Sequence, residues 1–249
     1  MNILITICGR GGSTGVADKN IRRFMGKPLA YYTVAAALLF RERHSAYCVD
    51  ISVSSDSDRV LDRVRHFDLV CIERPDTLAE NETPKLFAIR HSLAYMEETH
   101  NRKYDFVMDL DITSPLRRIE DMENALKTLE EHAEMDVVFS AVPSRRNPYF
   151  NMVERRDGKM QKIIDGGFSA RQQAPAVYDM NASIYCYRRD SIVNRLNASP
   201  LDGAFDIVLM RDTGVLDIDD EDDFRLMEIL APYFFAGECK ELYAYTRAM

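Results

Sequence analysis

No two cysteines in this sequence are spaced as C-x-x-C, and the five present (Cys8, Cys48, Cys71, Cys186 and Cys239) are an odd number. That excludes a stapled secreted scaffold or a zinc ribbon, and several lie in apolar runs where cysteine acts as a small hydrophobe. They read as reduced core residues, which implies a cytoplasmic protein. An excess of positive charge is also missing, since 40 Asp and Glu outnumber 32 Lys and Arg for a net charge of -8. A surface coated with lysine and arginine for nucleic-acid phosphates is therefore excluded, and no nucleic-acid partner is expected. Long apolar runs are missing too. The longest nearly apolar stretch, "PLAYYTVAAALLF", cannot span a bilayer, and "MNILITICGR" has neither a basic leader nor a cleavage site, so no membrane partner and no export are expected.

The 249 residues, 46% hydrophobic and 29% charged, suffice for one core, so residues 1–249 read as a single domain with an elaboration. Short apolar strands are predicted at Ile3–Cys8, Cys48–Ser54, Leu69–Glu73, Asp105–Leu110 and Asp136–Val142. Helical spacing intervenes at Pro28–Phe40, Ser57–His66, Pro84–Glu98 and Ile119–Glu131. Strands alternating with helices call for right-handed crossovers and a mostly parallel sheet covered on both faces, with ligands at the strands' C-terminal ends. Around residues 143–178 the pattern becomes polar and punctuated by Gly and Pro, which reads as an inserted hairpin subdomain or dimerisation arm. Alternation resumes at "ASIYCYRR" and at "TGVLDIDDEDDF", the latter running into a helix with Phe224, Met227 and Leu230 on one side.

The loop "GRGGSTG" follows the first strand, where glycine-freed backbone N–H groups can cradle a polyanion such as a triphosphate. It matches neither G-x-x-x-x-G-K-[ST] nor G-x-G-x-x-G, and no acid stands about 20 residues on to take a ribose, so a P-loop enzyme and a nicotinamide dehydrogenase are disfavoured. Arg10 opens the loop and Lys19-Asn20 close it, flanking the glycines with two cations and an amide. A flexible turn with solvated charges is the competing reading.

Asp217 and Asp219 alternate at a strand end, pointing two oxygen ligands one way with Ile218 packed on the other side. Two aspartates plus triphosphate oxygens suit magnesium. The alternative is that Asp219 or Asp220 caps the next helix. A second pair, Asp109 and Asp111 in "MDLDITSPLR", could bind metal or sugar hydroxyls, or form a turn with the Ser-Pro pair.

Together these segments resemble the acylneuraminate cytidylyltransferases (CMP-sialic acid synthetases) over nearly the whole chain. "GRGGSTGVADKN" is similar to that family's A-R-x-x-S-K-G-x-x-x-K-N loop, "SVSSDSD" to its V-S-T/S-D strand end and "ERPDTLA" to its R-P-x-x-L-A segment. "DITSPLR" resembles Q-P-T-S-P-L-R, "RQQAPAVYDMNASIY" resembles R-Q-x-x-P-x-x-x-x-x-N-G-A-I-Y, and "LDIDDEDDF" resembles the metal-binding D-I-D. The resemblance implies a Rossmann-like three-layer α/β/α nucleotidyltransferase fold and a homodimer whose arm reaches the neighbour's site. It implies that Arg10, Gly11, Gly12, Ser13, Lys19 and Asn20 hold CTP, that Arg74 helps read cytosine, and that Asp217 and Asp219 bind Mg2+. It further implies that Arg171, Gln172, Asn181 and Tyr185 line the acidic sugar, with Asp111, Ser114 and Arg117 below it. For Tyr185, core packing is an equally good reading.

Three departures from the pattern matter. The family's loop lysine is Thr14, its glutamine before T-S-P is Asp111, and a lysine past the P-x-x-x-x-P turn is Phe150. The expected reaction is attack of an anomeric hydroxyl of a nine-carbon 2-keto acid on the α-phosphorus of CTP, with Arg10 and Lys19 neutralising charge and Asp219 the better proton acceptor. The alternatives are transfer to an eight-carbon ulosonate or to a sugar phosphate, with Arg145, Arg146, Arg155 and Arg156 as its only supply of cations. A glycosyltransferase using "DLD" for metal and an inactive nucleotide-binding regulator also remain open.

Overall fold

The computed structural model describes residues 1–12, 15–213 and 217–249. Strands β1 (Asn2–Cys8), β2 (Arg23–Phe24), β3 (Lys27–Pro28), β4 (Cys48–Ser55), β5 (Val70–Glu73), β6 (Phe106–Leu110) and β7 (Val137–Pro143) fall in the first part of the chain. They are followed by β8 (Val153–Arg156), β9 (Lys159–Lys162), β10 (Tyr178–Arg188) and β11 (Phe205–Leu209). The helices are α1 (Leu29–Arg43), α2 (Asp58–Val64), α3 (Lys85–His100), α4 (Ile119–Glu131), α5 (Arg189–Asn194), α6 (Glu221–Ala236) and α7 (Lys240–Ala248).

Among the described residues, seven strands form one sheet in the order β11-β7-β10-β6-β1-β4-β5. All neighbours run parallel except β10, which is antiparallel to both β6 and β7. The chain steps outward from β1 through β4 to β5, then returns to place β6 on the other side of β1. That reversal opens a crevice at the C-terminal ends of β1 and β6.

Alternation along the strands divides the core in two. Ile3, Ile5 and Ile7 face a cluster built with α1, α2, α4, α6 and α7, whereas Leu4 and Val107 face α3 and α5. The fold is therefore a three-layer α/β/α sandwich around a mostly parallel sheet. The run that is too short for a bilayer becomes α1, buried nearly all round from Leu29 to Phe40. No helix among the described residues is long and apolar enough to cross a membrane. The five cysteines are free, with Cys8, Cys186 and Cys239 buried.

The predicted strands and the helix over Ile119–Glu131 agree closely with β1, β4–β7 and α4. Two features differ. β11, α5 and α7 have no counterpart in the sequence reading, because β11 is a half-exposed edge strand and the helices are short. Residues 217–219 are a bend followed by irregular chain and not part of a strand, while 214–216 lie outside the described residues. Between β7 and β10 the chain leaves the sheet and makes the exposed hairpin β8–β9.

Candidate active site

At the C-terminal ends of β1, β4 and β6 lies a cleft of about 330 Å3. Its lining includes Arg10, Gly15, Lys19, Asn20, Arg74, Lys85, Asp111, Asp217 and Asp219, gathered from both ends of the chain. The loop after β1 stays tied to the sheet, since the Gly9 N–H donates to the Ser54 carbonyl at 3.0 Å. Asn20 closes the loop by donating from Nδ2 to the Arg10 carbonyl at 2.8 Å, and the Gly11 N–H donates to Asp56 Oδ1 at 2.8 Å. Asn20 and Gly11 thus shape the cradle. Gly12 is exposed and open around its α-carbon, and Ser13 and Thr14 lie outside the described residues.

The cations are held from different directions. Arg10 donates from Nη1 to Asn81 Oδ1 at 2.7 Å, and Lys19 reaches across the cleft to the Ile218 carbonyl. Arg74 is fastened to the end of β4 through Nη2 to the Ser54 carbonyl at 2.7 Å and Nε to Ser54 Oγ at 3.2 Å. A second tether joins loop and acids, because Arg22 pairs with Glu221 at 2.5 Å and lies over the Phe224 ring.

Ile218 is fully buried between Asp217 and Asp219, so both acids face the cleft although their backbone is not in a strand. The capping question resolves in favour of Asp220, whose carboxylate accepts from the N–H groups of Asp222 and Asp223 at 2.9 Å each. Asp219 is thereby spared a cap's work. Burial pushes the Asp217 carboxyl above its ordinary range, and repulsion from Asp111 adds to the rise. Among the described residues no three His, Cys, Asp or Glu side chains converge as a metal site. Two carboxylates beside a phosphate cradle fit magnesium, which keeps water and phosphate oxygens in its shell.

The pair Asp109 and Asp111 does something else. Lys85, the first residue of α3, places Nζ 2.7 Å from Asp109 Oδ2 and 2.6 Å from Asp111 Oδ2. Asp109 is fully buried and also accepts from Thr6 Oγ1 at 2.7 Å. An ammonium thus stands between the two carboxylates, where a glycosyltransferase reading of "DLD" needs a metal. Burial would raise Asp111 and lower Lys85, but their mutual attraction outweighs it, so Asp111 titrates below and Lys85 well above the ordinary value. The sequence reading missed Lys85. Its one signal was a cation at a helix N-terminus, where the dipole disfavours it without an acid partner.

The remaining sugar-side residues do not converge on the cleft. Arg117 is 1% exposed, and its guanidinium donates to the carbonyls of Asp111 and Ser114, bracing the loop after β6. Burial pushes it down to about 10. Ser114 and Asn181 line a separate small cavity with Met210, and Asn181 accepts from Ser140 Oγ at 2.6 Å. Tyr185 lines a second cavity of about 170 Å3 that shares only Lys85 and Asp111 with the cleft, and burial pushes its hydroxyl up to about 12. Arg171 and Gln172 line another cavity, at the root of the arm, where Arg171 Nη2 donates to the Ser144 carbonyl at 2.8 Å. Phe150 sits in a turn, donating its N–H to the Asn147 carbonyl at 3.0 Å. The arginines proposed for a sugar phosphate are spent locally: Arg145 pairs with Asp212 at 2.6 Å and Arg156 with Glu154 at 2.5 Å, while Arg155 donates to the Gly158 carbonyl at 3.0 Å.

A sequence profile described as cytidylyltransferase matches residues 4–202. The chain belongs to the cytidylyltransferase family. It is 37% identical over 229 residues to CMP-N,N'-diacetyllegionaminic acid synthase of Campylobacter jejuni, covering 92% of this chain and 94% of that one. It is 36% identical, with the same coverage, to post-translational flagellin modification protein B of Campylobacter coli. Among solved structures it is similar to CMP:2-keto-3-deoxy-manno-octonic acid synthetase complexed with CTP, at a TM-score of 0.67 and 17% identity, covering 94% of this chain and 99% of that one. This chain therefore shares its fold with a CTP-bound synthetase of solved structure.

Proposed function

We propose that this chain transfers CMP from CTP to the anomeric hydroxyl of a nonulosonic acid and releases pyrophosphate. The observation that carries the reading is the convergence of Arg10 and Lys19 with Asp217 and Asp219 on one cleft. The relative named CMP-N,N'-diacetyllegionaminic acid synthase supports the nonulosonate over an eight-carbon acid or a sugar phosphate.

The glycine loop holds the triphosphate on backbone N–H groups, Arg10 and Lys19 neutralise it, and Arg74 reads the base. Asp217 and Asp219 would hold Mg2+, which supplies charge neutralisation at the phosphates. Asp219 accepts the proton of the anomeric hydroxyl as its oxygen bonds to the α-phosphorus and the bond to the β-phosphate oxygen breaks. Asp111 and Tyr185 line the cavity that adjoins the cleft on the sugar side, whereas Ser114 and Asn181 line a separate one. Arg171 and Gln172 serve a sugar best across a homodimer, and the exposed Val153, Met160 and Ile164 of the arm suit burial against a second copy. The reading places the enzyme in the cytoplasm, where CTP is made available.

Pyrophosphate release should be measured with CTP and Mg2+ against nonulosonic acids, eight-carbon ulosonates and sugar phosphates, with other nucleoside triphosphates as controls. Turnover confined to CTP and a nonulosonic acid supports the reading. Activity only on a sugar phosphate, only with another nucleotide, or CTP binding without turnover overturns it. Light scattering of the purified chain decides the dimer.

A further inference from the structure

Lys85 sits where helix energetics oppose it, at the first position of α3, and is retained there by two carboxylates from the end of β6. The three groups carry one positive and two negative charges, so the trio is net negative by one. Asp217 adds a further acid to the same cleft. A sugar carboxylate is repelled from this wall, whereas an uncharged polar substituent is not.

The hydrogen-bonding inventory is as specific. An ammonium has three N–H donors; one goes to Asp111 Oδ2, and Asp109 Oδ2 stands beside it as an ion-pair partner. Asp111 spends Oδ2 on Lys85 and only a long 3.3 Å contact from Thr113 on Oδ1. A donor and an acceptor remain on adjacent groups. Lys85 and Asp111 are also the two residues common to the nucleotide cleft and the second cavity, whose other walls include Leu86, Ile89, Tyr185, Tyr187 and Pro200. The junction between the cavities is therefore polar and the far wall largely apolar. At position 111 the resembling family has glutamine, which carries donor and acceptor on one neutral amide; aspartate alone lacks the donor that Lys85 restores at 2.6 Å.

Resting on the functional reading above, we propose that Lys85, paired with Asp111, is a specificity-determining residue that presents one donor and one acceptor to an uncharged substituent of the acceptor sugar, such as an acylamino or hydroxyl group, lodged in the second cavity.

The test is steady-state kinetics on the full chain with CTP, Mg2+ and the nonulosonic acid that the wild type turns over best. Lys85→Met should raise KM for the acceptor about tenfold or more while KM for CTP moves less than about threefold. Lys85→Met with Asp111→Gln, which puts donor and acceptor back on one amide, should recover most of that loss. Because Lys85→Met strands two carboxylates and can unfold the chain, Lys85→Arg provides a folded variant. It keeps the charge but changes the fork, and should also raise KM for the acceptor selectively. An acceptor KM unchanged in Lys85→Arg, or acceptor and CTP KM rising together, overturns the inference alone. Silence of the wild type with every nonulosonic acid overturns the functional reading and this inference with it.

Discussion

Gly15 lies directly against Asp219: a Cβ built at position 15 would stand 1.8 Å from the Asp219 carbonyl oxygen. The loop after β1 and the cleft's acids, some 200 residues apart in sequence, are thus pressed together by a contact that only glycine permits.

Gly15→Ala should therefore separate loop and acid. The expected result is a loss of turnover of about a hundredfold or more, because misplacing catalytic groups by an ångström is that costly, with the rest of the sandwich intact. Kinetics alongside circular dichroism check it; near-wild-type turnover would remove this contact from the site.

Asp219 and its neighbour Asp220 should behave oppositely. Asp219→Asn is expected to abolish turnover with little change in stability, since the side chain performs no cap. Asp220→Ala should cost about 0.5–2 kcal/mol through the lost N-cap of α6 and leave a substantial kcat. Thermal melts and rates on both variants decide which acid does which task.

At the far end of the sheet Asp50 accepts from Tyr104 Oη at 2.6 Å, from His100 Nδ1 at 3.1 Å and from Arg102. Burial alone would raise its carboxyl, but these partners outweigh it and hold it below its ordinary 3.8. A depressed folded value means its contribution is fully present above the unfolded value and is lost as pH falls through the folded one. Asp50→Asn should destabilise the chain at neutral pH, by about 1–3 kcal/mol, and flatten the decline of stability below about pH 4. Denaturant titrations from pH 3 to 7 test this; parallel curves for variant and wild type would contradict it.

Ala182 occupies the left-handed region, at φ 48°, in the irregular stretch of β10 where its pairing with β7 shifts register. The family pattern that this stretch resembles has glycine here. Ala182→Gly should stabilise the chain by roughly 0.5–1 kcal/mol by relieving the Cβ clash. A lowered melting temperature would show that the backbone is not strained there.

Elements and their chemistry were legible in the chain wherever the signal was local. Ile119–Glu131 was legible because its apolar residues recur at helical spacing, and β1 because its run is apolar and ends in glycines. The Arg10 to Asn20 loop and the Asp217/Asp219 pair stood out because near neighbours in the chain set their pattern, and both line the cleft. The rest followed from how the elements pack. The Lys85–Asp111 pair joins residues 26 apart on two elements, and nothing in an amphipathic helix pattern tells which strand end its first residue meets. Asp219 was told from Asp220 by cap geometry, and Arg117 from a ligand contact by its burial beneath the loop it braces. Arg171 and Gln172 are carried away from the cleft by the path of the arm, which no local pattern encodes. Spacing along a chain sets which way a side chain points on its own element, whereas packing of elements sets what it meets.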